Sequence, residues 1–188
     1  DRGVFAGGGL AGNTEVNTID YVTISSTGDA ADFGDLTGVR DDLSATSNGT
    51  SDRGIFGGGR DLFNNMLNII EYVTISSTGN TTDFGDLTVN RKELSATSNG
   101  LDDTGIFGGG EDVNANILNT IDYITISSTG NALDFGDLQS VRDGLSATSN
   151  GTSDRGLFGG GADSSDNHLN VIDYVTISST GDAADFGD

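Results

Sequence analysis

The chain contains no cysteine, no proline and no tryptophan, and only one histidine and one methionine. Without cysteine there is no disulfide framework, no thiolate nucleophile and no cysteine-ligated zinc, and nothing from which to read the redox compartment. Cationic side chains are scarce: 8 Lys plus Arg stand against 29 Asp plus Glu, a formal charge of -21. A polyanion of this strength repels a phosphate backbone, which argues against nucleic-acid binding. Long hydrophobic runs are missing too, and none approaches the ~20 residues of a membrane-spanning helix. Leu, Ile, Val and Phe together make up about 24% of the 188 residues, just above the ~20% level below which disorder is favoured. Average composition therefore places the chain on the ordered side of a boundary.

What is abundant is repetition. The string Asp-Arg-Gly followed by an apolar pair and glycines begins at Asp1, Asp52 and Asp154, and a variant begins at Asp103. The period is 51 residues, giving units 1-51, 52-102, 103-153 and a partial fourth, 154-188, in one repeat domain. A fixed period of this size marks a solenoid, a propeller or an array. Around Tyr72, residues Ile70, Tyr72 and Thr74 alternate with Glu71, Val73 and Ile75, the two-residue period of a β-strand, and the pattern recurs at Tyr21, Tyr123 and Tyr174. It ends in Ser-Thr-Gly-Asp or Ser-Thr-Gly-Asn, a reversal signal, and Asp83-Phe84-Gly85-Asp86-Leu87 reads as the returning strand. A second hairpin joins Leu94-Ser95-Ala96-Thr97-Ser98 through Asn99-Gly100 to a strand ending at Ile106-Phe107-Gly108.

Each unit thus supplies four short antiparallel strands. Such a sheet cannot bury both faces alone, so the units must pack on one another. The expected fold is all-β, a β-propeller-like array of about four four-stranded blades, with the small-residue strand Leu43-Ser44-Ala45-Thr46-Ser47 innermost. The chain starts at the second strand of a blade, and its fourth unit stops sixteen residues short of a full period. It reads as an excerpt of a longer chain, or as one whose absent strand comes from another copy. The second case would build a fibre by strand exchange, because an open sheet edge templates strand addition.

At this point the residues resemble the kelch repeat. Arg40, Leu43 to Ser47, Ile55-Phe56, Gly57-Gly58-Gly59, Ile70-Glu71-Tyr72 and Phe84 follow that family's order, and the pattern covers the whole chain. Phe84 departs from it by standing where tryptophan is usual, and by lying twelve residues after Tyr72. More narrowly, the tandem units look like kelch-like repeats in structural proteins of marine and cyanobacterial phages. That resemblance implies a virion-associated or extracellular tail module, and it brings no catalytic residues.

Repetition also sorts structural residues from special ones. Phe5, Tyr21, Phe33 and their equivalents recur in every unit, as expected of packing between blades, and only Phe63 stands outside the set. Recurrent acids (Asp1, Asp20, Asp32, Asp35 and equivalents) and recurrent arginines (Arg2, Arg53, Arg155; Arg40, Arg91, Arg142) suggest a ring of side-chain pairs. The alternative is Ca²⁺ held by Asp32, Asp35, Asp83, Asp86, Asp134 and Asp137, since hard cations take clustered carboxylates. No other cofactor is implied. The recurrent Asp-Phe-Gly has no kinase catalytic loop or strand lysine around it. A single histidine, His168, and a single lysine, Lys92, leave little for catalysis, and the chain reads as non-enzymatic.

Specificity is expected where units differ. Residues 10-17, 60-68, 111-119 and 162-170 vary between nearly fixed flanks, on loops joining the second and third strands. The candidate ligand-binding residues are Arg60, Asp61, Phe63, Asn64, Glu111, Asp112, Asn114, Asp163, Asp166 and His168, facing a protein or a surface glycan. Sequons at Asn48, Asn80 and Asn150 are candidate glycosylation sites.

Overall fold

The computed structural model spans Asp1–Asp188 and describes every residue except Gly12 and Asn13. The described residues contain no helix, hence none long and apolar enough to cross a membrane. In chain order the strands are β1 (Arg2–Ala6), the short pair β2 (Gly9–Leu10) and β3 (Thr14–Glu15), β4 (Thr18–Thr23) and β5 (Ala31–Asp35). Then come β6 (Ser44–Thr46), β7 (Arg53–Gly57), β8 (Ile69–Thr74) and β9 (Thr82–Asp86). Next are β10 (Arg91–Lys92), β11 (Ser95–Ser98), β12 (Thr104–Gly108), β13 (Glu111–Asp112), β14 (Thr120–Thr125) and β15 (Leu133–Asp137). The series ends with β16 (Ser146–Thr148), β17 (Arg155–Gly159), β18 (Ile172–Thr176) and β19 (Ala184–Gly187).

These strands form one three-stranded sheet, β1-β4-β5, three four-stranded sheets, β6-β7-β8-β9, β11-β12-β14-β15 and β16-β17-β18-β19, and two short two-stranded pairs, β2-β3 and β10-β13. Every pairing is antiparallel. The three complete units each supply the four strands expected and the partial fourth supplies three, with the small-residue strand first in each four-stranded sheet.

The apolar cores lie between sheets. One gathers Ile55, Ile70 and Phe84 of the second sheet with Phe107, Ile124 and Ile126 of the third. Another joins Ile106, Ile121 and Phe135 of the third with Phe158, Val175 and Ile177 of the fourth. A third joins Ile19 and Phe33 to Phe56 and Val73. Burying each such side chain stabilises by about 1.5–3 kcal/mol, which a lone sheet could not collect. Most of the repeated aromatics serve these cores, with Tyr21 on Phe33, Tyr72 on Phe84 and Tyr123 on Phe135 edge to face, centroids 5.9, 6.0 and 5.9 Å apart; Phe5 and Phe186, at 62% and 50% exposed, depart from the expected packing.

Asp-Phe-Gly has a structural role here. Each copy sits at a register shift between the third and fourth strands, with Ile70 opposite Gly85 and Glu71 opposite Asp83, so that Phe84 is the extra residue of a β-bulge. The bulge sends Phe84 into the core, 2% exposed. Gly85, at φ 148°, lets the next unit approach: a Cβ there would lie 2.4 Å from the Gly130 carbonyl oxygen. Backbone hydrogen bonds then tie unit to unit. Gly130 N–H donates to the Phe84 carbonyl at 2.8 Å and Ala132 N–H to the Asp86 carbonyl at 2.8 Å, and the same bonds link the first sheet to the second and the third to the fourth.

The expected pairing of recurrent acid and arginine is realised by one of the two arginine sets. Arg40 meets Glu71 at 2.5 Å, Arg91 meets Asp122 at 3.0 Å and Arg142 meets Asp173 at 2.6 Å, all essentially without solvent. Each arginine lies on the link between two sheets and also donates to backbone carbonyls, as Arg91 does to Thr120 and Phe107. The other set behaves differently. Arg2, Arg53 and Arg155 stack over Tyr21, Tyr72 and Tyr174 at 4.6, 4.5 and 4.2 Å.

Candidate functional site

The loop after the second strand has one frame in three units. Asp61 Oδ1 accepts hydrogen bonds from the backbone N–H of Phe63 and of Asn65, both at 2.9 Å, while Asn65 Nδ2 donates to Asp61 Oδ2. Asp112 with Asn114 and Asn116, and Asp163 with Ser165 and Asn167, repeat the arrangement. Asn64, Ala115 and Asp166 share a left-handed backbone, with φ of 60°, 59° and 61°. The Asn donor, backed by the N–H groups, holds the Asp61, Asp112 and Asp163 carboxyls below the ordinary aspartate range.

Three proposed binding residues, Asp61, Asp112 and Asp163, are therefore occupied within their own loops. What the frame presents outward is its tip: Leu62-Phe63-Asn64, Val113-Asn114-Ala115 and Ser164-Ser165-Asp166. Phe63 is 74% exposed. The shared Asp-x-x-x-Asn spacing of Asp61 and Asn65, Asp112 and Asn116, and Asp163 and Asn167 is the sequence signal of this frame. The first unit carries Leu10 and Thr14 at those places; its residues 12 and 13 lie outside the described set.

The base of the loops is charged and continuous across units. Arg60 Nε lies 2.9 Å from Asp41 and 3.1 Å from Asp42. One unit on, the polarity is reversed: Lys92 Nζ lies 2.9 Å from Glu111 and 2.7 Å from Glu93. In the last unit Asp143 faces Ala162, with no cation across the strand pair. A backbone ladder runs beneath, Glu93 N–H donating to the Asp42 carbonyl at 2.9 Å and Gly144 N–H to the Glu93 carbonyl at 3.0 Å. Burial and then Asp41 raise the Asp42 carboxyl, and burial with Glu93 and Glu111 raises Asp143.

A cavity of about 390 Å³ lies at the end face of the fourth sheet, and one of about 380 Å³ at the loop base. The second is lined by Glu93, Asp143, Asp166, His168 and Leu169. It brings together two expected residues, Asp166 and His168, with two that the sequence reading passed over, Glu93 and Asp143. Its carboxylates are acceptors suited to hydroxyl donors.

The other candidates fall elsewhere. Asp32, Asp83 and Asp134 are exposed on the outer strands, while Asp35, Asp86 and Asp137 donate their backbone N–H to Asn80, Asn131 and Asp182. Burial, then Asp182 and Asp134, raise the Asp137 carboxyl. Among the described residues no group of three or more His, Asp or Glu is placed to hold a metal ion. Asn48 is buried, its amide donating to Asp103 and its Oδ1 accepting from Thr50 and Ser51, so a glycan on Nδ2 would have to dismantle that turn. Asn80 and Asn150 are exposed.

Compared with known proteins, the chain matches no protein-family model and no curated protein.

Proposed function

We propose that the four sheets are blades of a kelch-like, propeller-type array, and that the protein is a non-enzymatic structural and adhesion module of a virion tail or a similar extracellular assembly. It binds a protein or a surface glycan through the loop tips and the acidic cavity at their base. The observation that carries this reading is a fixed loop frame with changing tips. Asp61–Asn65, Asp112–Asn116 and Asp163–Asn167 hold the same geometry while the three residues between them differ in every unit. Loops on a rigid scaffold are the usual carriers of recognition, and an exposed aromatic such as Phe63 offers a sugar face or an apolar anchor.

The test is a glycan array together with binding to intact cells, run on the chain and on a variant whose three tips are all exchanged for Gly-Ser-Gly with the Asp and Asn clamps kept. Loss of binding with an unchanged melting temperature supports the reading. Binding that survives the exchange overturns it.

A further inference from the structure

Of the two recurrent arginine sets, the one that stacks on tyrosine is broken in the third unit. Arg2 and Arg53 lie over Tyr21 and Tyr72 at 4.6 and 4.5 Å from the ring centroids, and Arg155 repeats the contact on Tyr174. Arg2 and Arg53 also reach one unit forward, donating to the Ile75 carbonyl at 2.8 Å and the Ile126 carbonyl at 2.9 Å. The corresponding place in the third unit belongs to Thr104, whose side chain is too short for either contact. Among the described residues no cation covers the Tyr123 ring, and no side chain donates to the Ile177 carbonyl, the acceptor that the repeat assigns to this place.

The frame around the substitution is kept. Tyr123 stands edge to face with Phe135 at 5.9 Å, as Tyr72 does with Phe84 at 6.0 Å, so the ring is held as in the other units. Thr104 pairs with Thr125 and Ile106 with Tyr123, the register that Arg53 keeps with Thr74 and Ile55 with Tyr72. A second departure falls on the same spot. Leu133, paired with Tyr123 across β14 and β15 and 59% exposed, stands where the other units carry Ala31, Thr82 and Ala184. Directly opposed residues share a face of the sheet. The third unit therefore lacks a guanidinium and carries an exposed apolar side chain beside the bared ring, with the following unit in place behind it. Tyr123 and Leu133 border a groove of about 280 Å³ together with Thr129 and Asn131, which leaves the ring reachable from solvent.

We propose that the third unit receives an arginine side chain from a protein partner, the guanidinium over Tyr123, one N–H on the Ile177 carbonyl and the aliphatic stem along Leu133. The protein's own Arg2 and Arg53 are the template for this pose. Arginine suits it better than a quaternary ammonium, because its planar fork stacks on a ring and donates hydrogen bonds at once. A formal charge of -21, with Asp103 next to Thr104, draws a cation to this surface. A neutral sugar could use the ring face but gains nothing from that charge. The site lies at the Thr104–Thr125 end of its strands, away from the Gly108–Ile121 end that leads into the loop tips, so it is a second recognition surface.

The experiment uses the 188-residue chain with ¹³C-labelled tyrosine rings, the four signals assigned by single Tyr→Phe variants and followed during titration with N-acetylarginine amide. A saturable shift of Tyr123 alone is expected; no shift, or equal shifts of all four, overturns the proposal. T104R supplies the guanidinium from within the chain and should weaken the response about tenfold or more, with melting unchanged or raised. A Tyr123 response unaltered in T104R would refute the site. N-acetylcitrulline amide, the neutral isostere, should leave Tyr123 unmoved, and binding equal to that of the arginine amide would show that charge is not what is recognised. Galactose or N-acetylglucosamine shifting Tyr123 where the arginine amide does not would make this a sugar site and sink the proposal. The variant with exchanged loop tips should keep the response, which separates this result from the test of the tips.

Discussion

The guanidinium of Arg91 and the carboxylate of Asp122 meet at 3.0 Å with neither side chain exposed to solvent. Arg91 arrives on the link from the preceding sheet, and Asp122 lies in β14, so the pair fastens a connection to the face of a strand. Burial lowers the arginine's proton affinity while Asp122 opposes that loss. Removing one partner strands the other charge. Arg91→Met or Asp122→Leu should each destabilise by roughly 3–5 kcal/mol, whereas the double replacement should cost much less than the sum. Urea unfolding of the two single variants and the double variant checks this as a cycle.

The three copies of this pair are not equally satisfied. Thr37 and Thr88 donate their hydroxyls to Glu71 and Asp122, but Gln139 stands in place of threonine in the third copy and offers only its N–H to Asp173. Asp173 Oδ1 is left buried without a partner. Gln139→Thr should supply the missing donor and raise stability by about 1–3 kcal/mol, the range for a hydrogen bond to a charged group. A rise in urea midpoint with unchanged slope is the expected readout.

Glycines at one repeat position should respond oppositely to the same change. Gly108→Val drives side-chain atoms into the Phe158 ring and should cost about 1–3 kcal/mol, the usual range for overpacking. Gly159→Val meets only Ile172 at ordinary contact distance and should leave monomer stability nearly unchanged. Ala6, the natural residue at this place in the first unit, shows that a single methyl can be accommodated against Phe56, which is why the larger side chain is the informative one. Thermal melts of the two variants side by side decide the matter.

The loop clamps set a pH dependence of definite sign. Asp61, Asp112 and Asp163 have folded pKa values depressed below the unfolded aspartate value by their Asn partners and loop N–H groups. Their contribution is present above the unfolded pKa, ~3.9, and is lost as pH falls through the lower folded pKa. Hydrogen exchange at the Asn65, Asn116 and Asn167 amides should stay protected at pH 5 and open only in strong acid. Asp112→Ala should open the third loop alone at neutral pH.

Much of the fold was legible because strand alternation, turn residues and a 51-residue period all write themselves into sequence. Residues such as Tyr72 and Phe84 recur at fixed places, and the edge-to-face pair they form follows from that. What stayed hidden depends on the neighbouring unit. Nothing around Gly85 announces that the Gly130 carbonyl lies against it, and nothing around Phe5 tells that its copies are buried while it is not. The candidate loops are marked in the sequence by their variation, while the hydrogen bonds that the Asp61, Asp112 and Asp163 carboxylates accept from their own loops depend on backbone geometry that variation does not reveal. That Glu93 and Asp143 line a cavity with Asp166 and His168 is not readable in sequence, because the cavity forms between units from segments distant along the chain.

The ties between sheets carry a consequence for how this protein can change length. Arg53 reaches Ile126, Gly130 reaches Phe84 and Ser98 reaches Ser47, and among the described residues no hydrogen bond spans more than 73 positions. Stability in such an array is a sum of unit terms and nearest-neighbour terms. A duplication or deletion of one 51-residue segment therefore leaves every surviving neighbour relation intact. The gene can lengthen or shorten by whole units in a single recombination event, each product folding by the same local rules, with its tip sequences reshuffled as it does so.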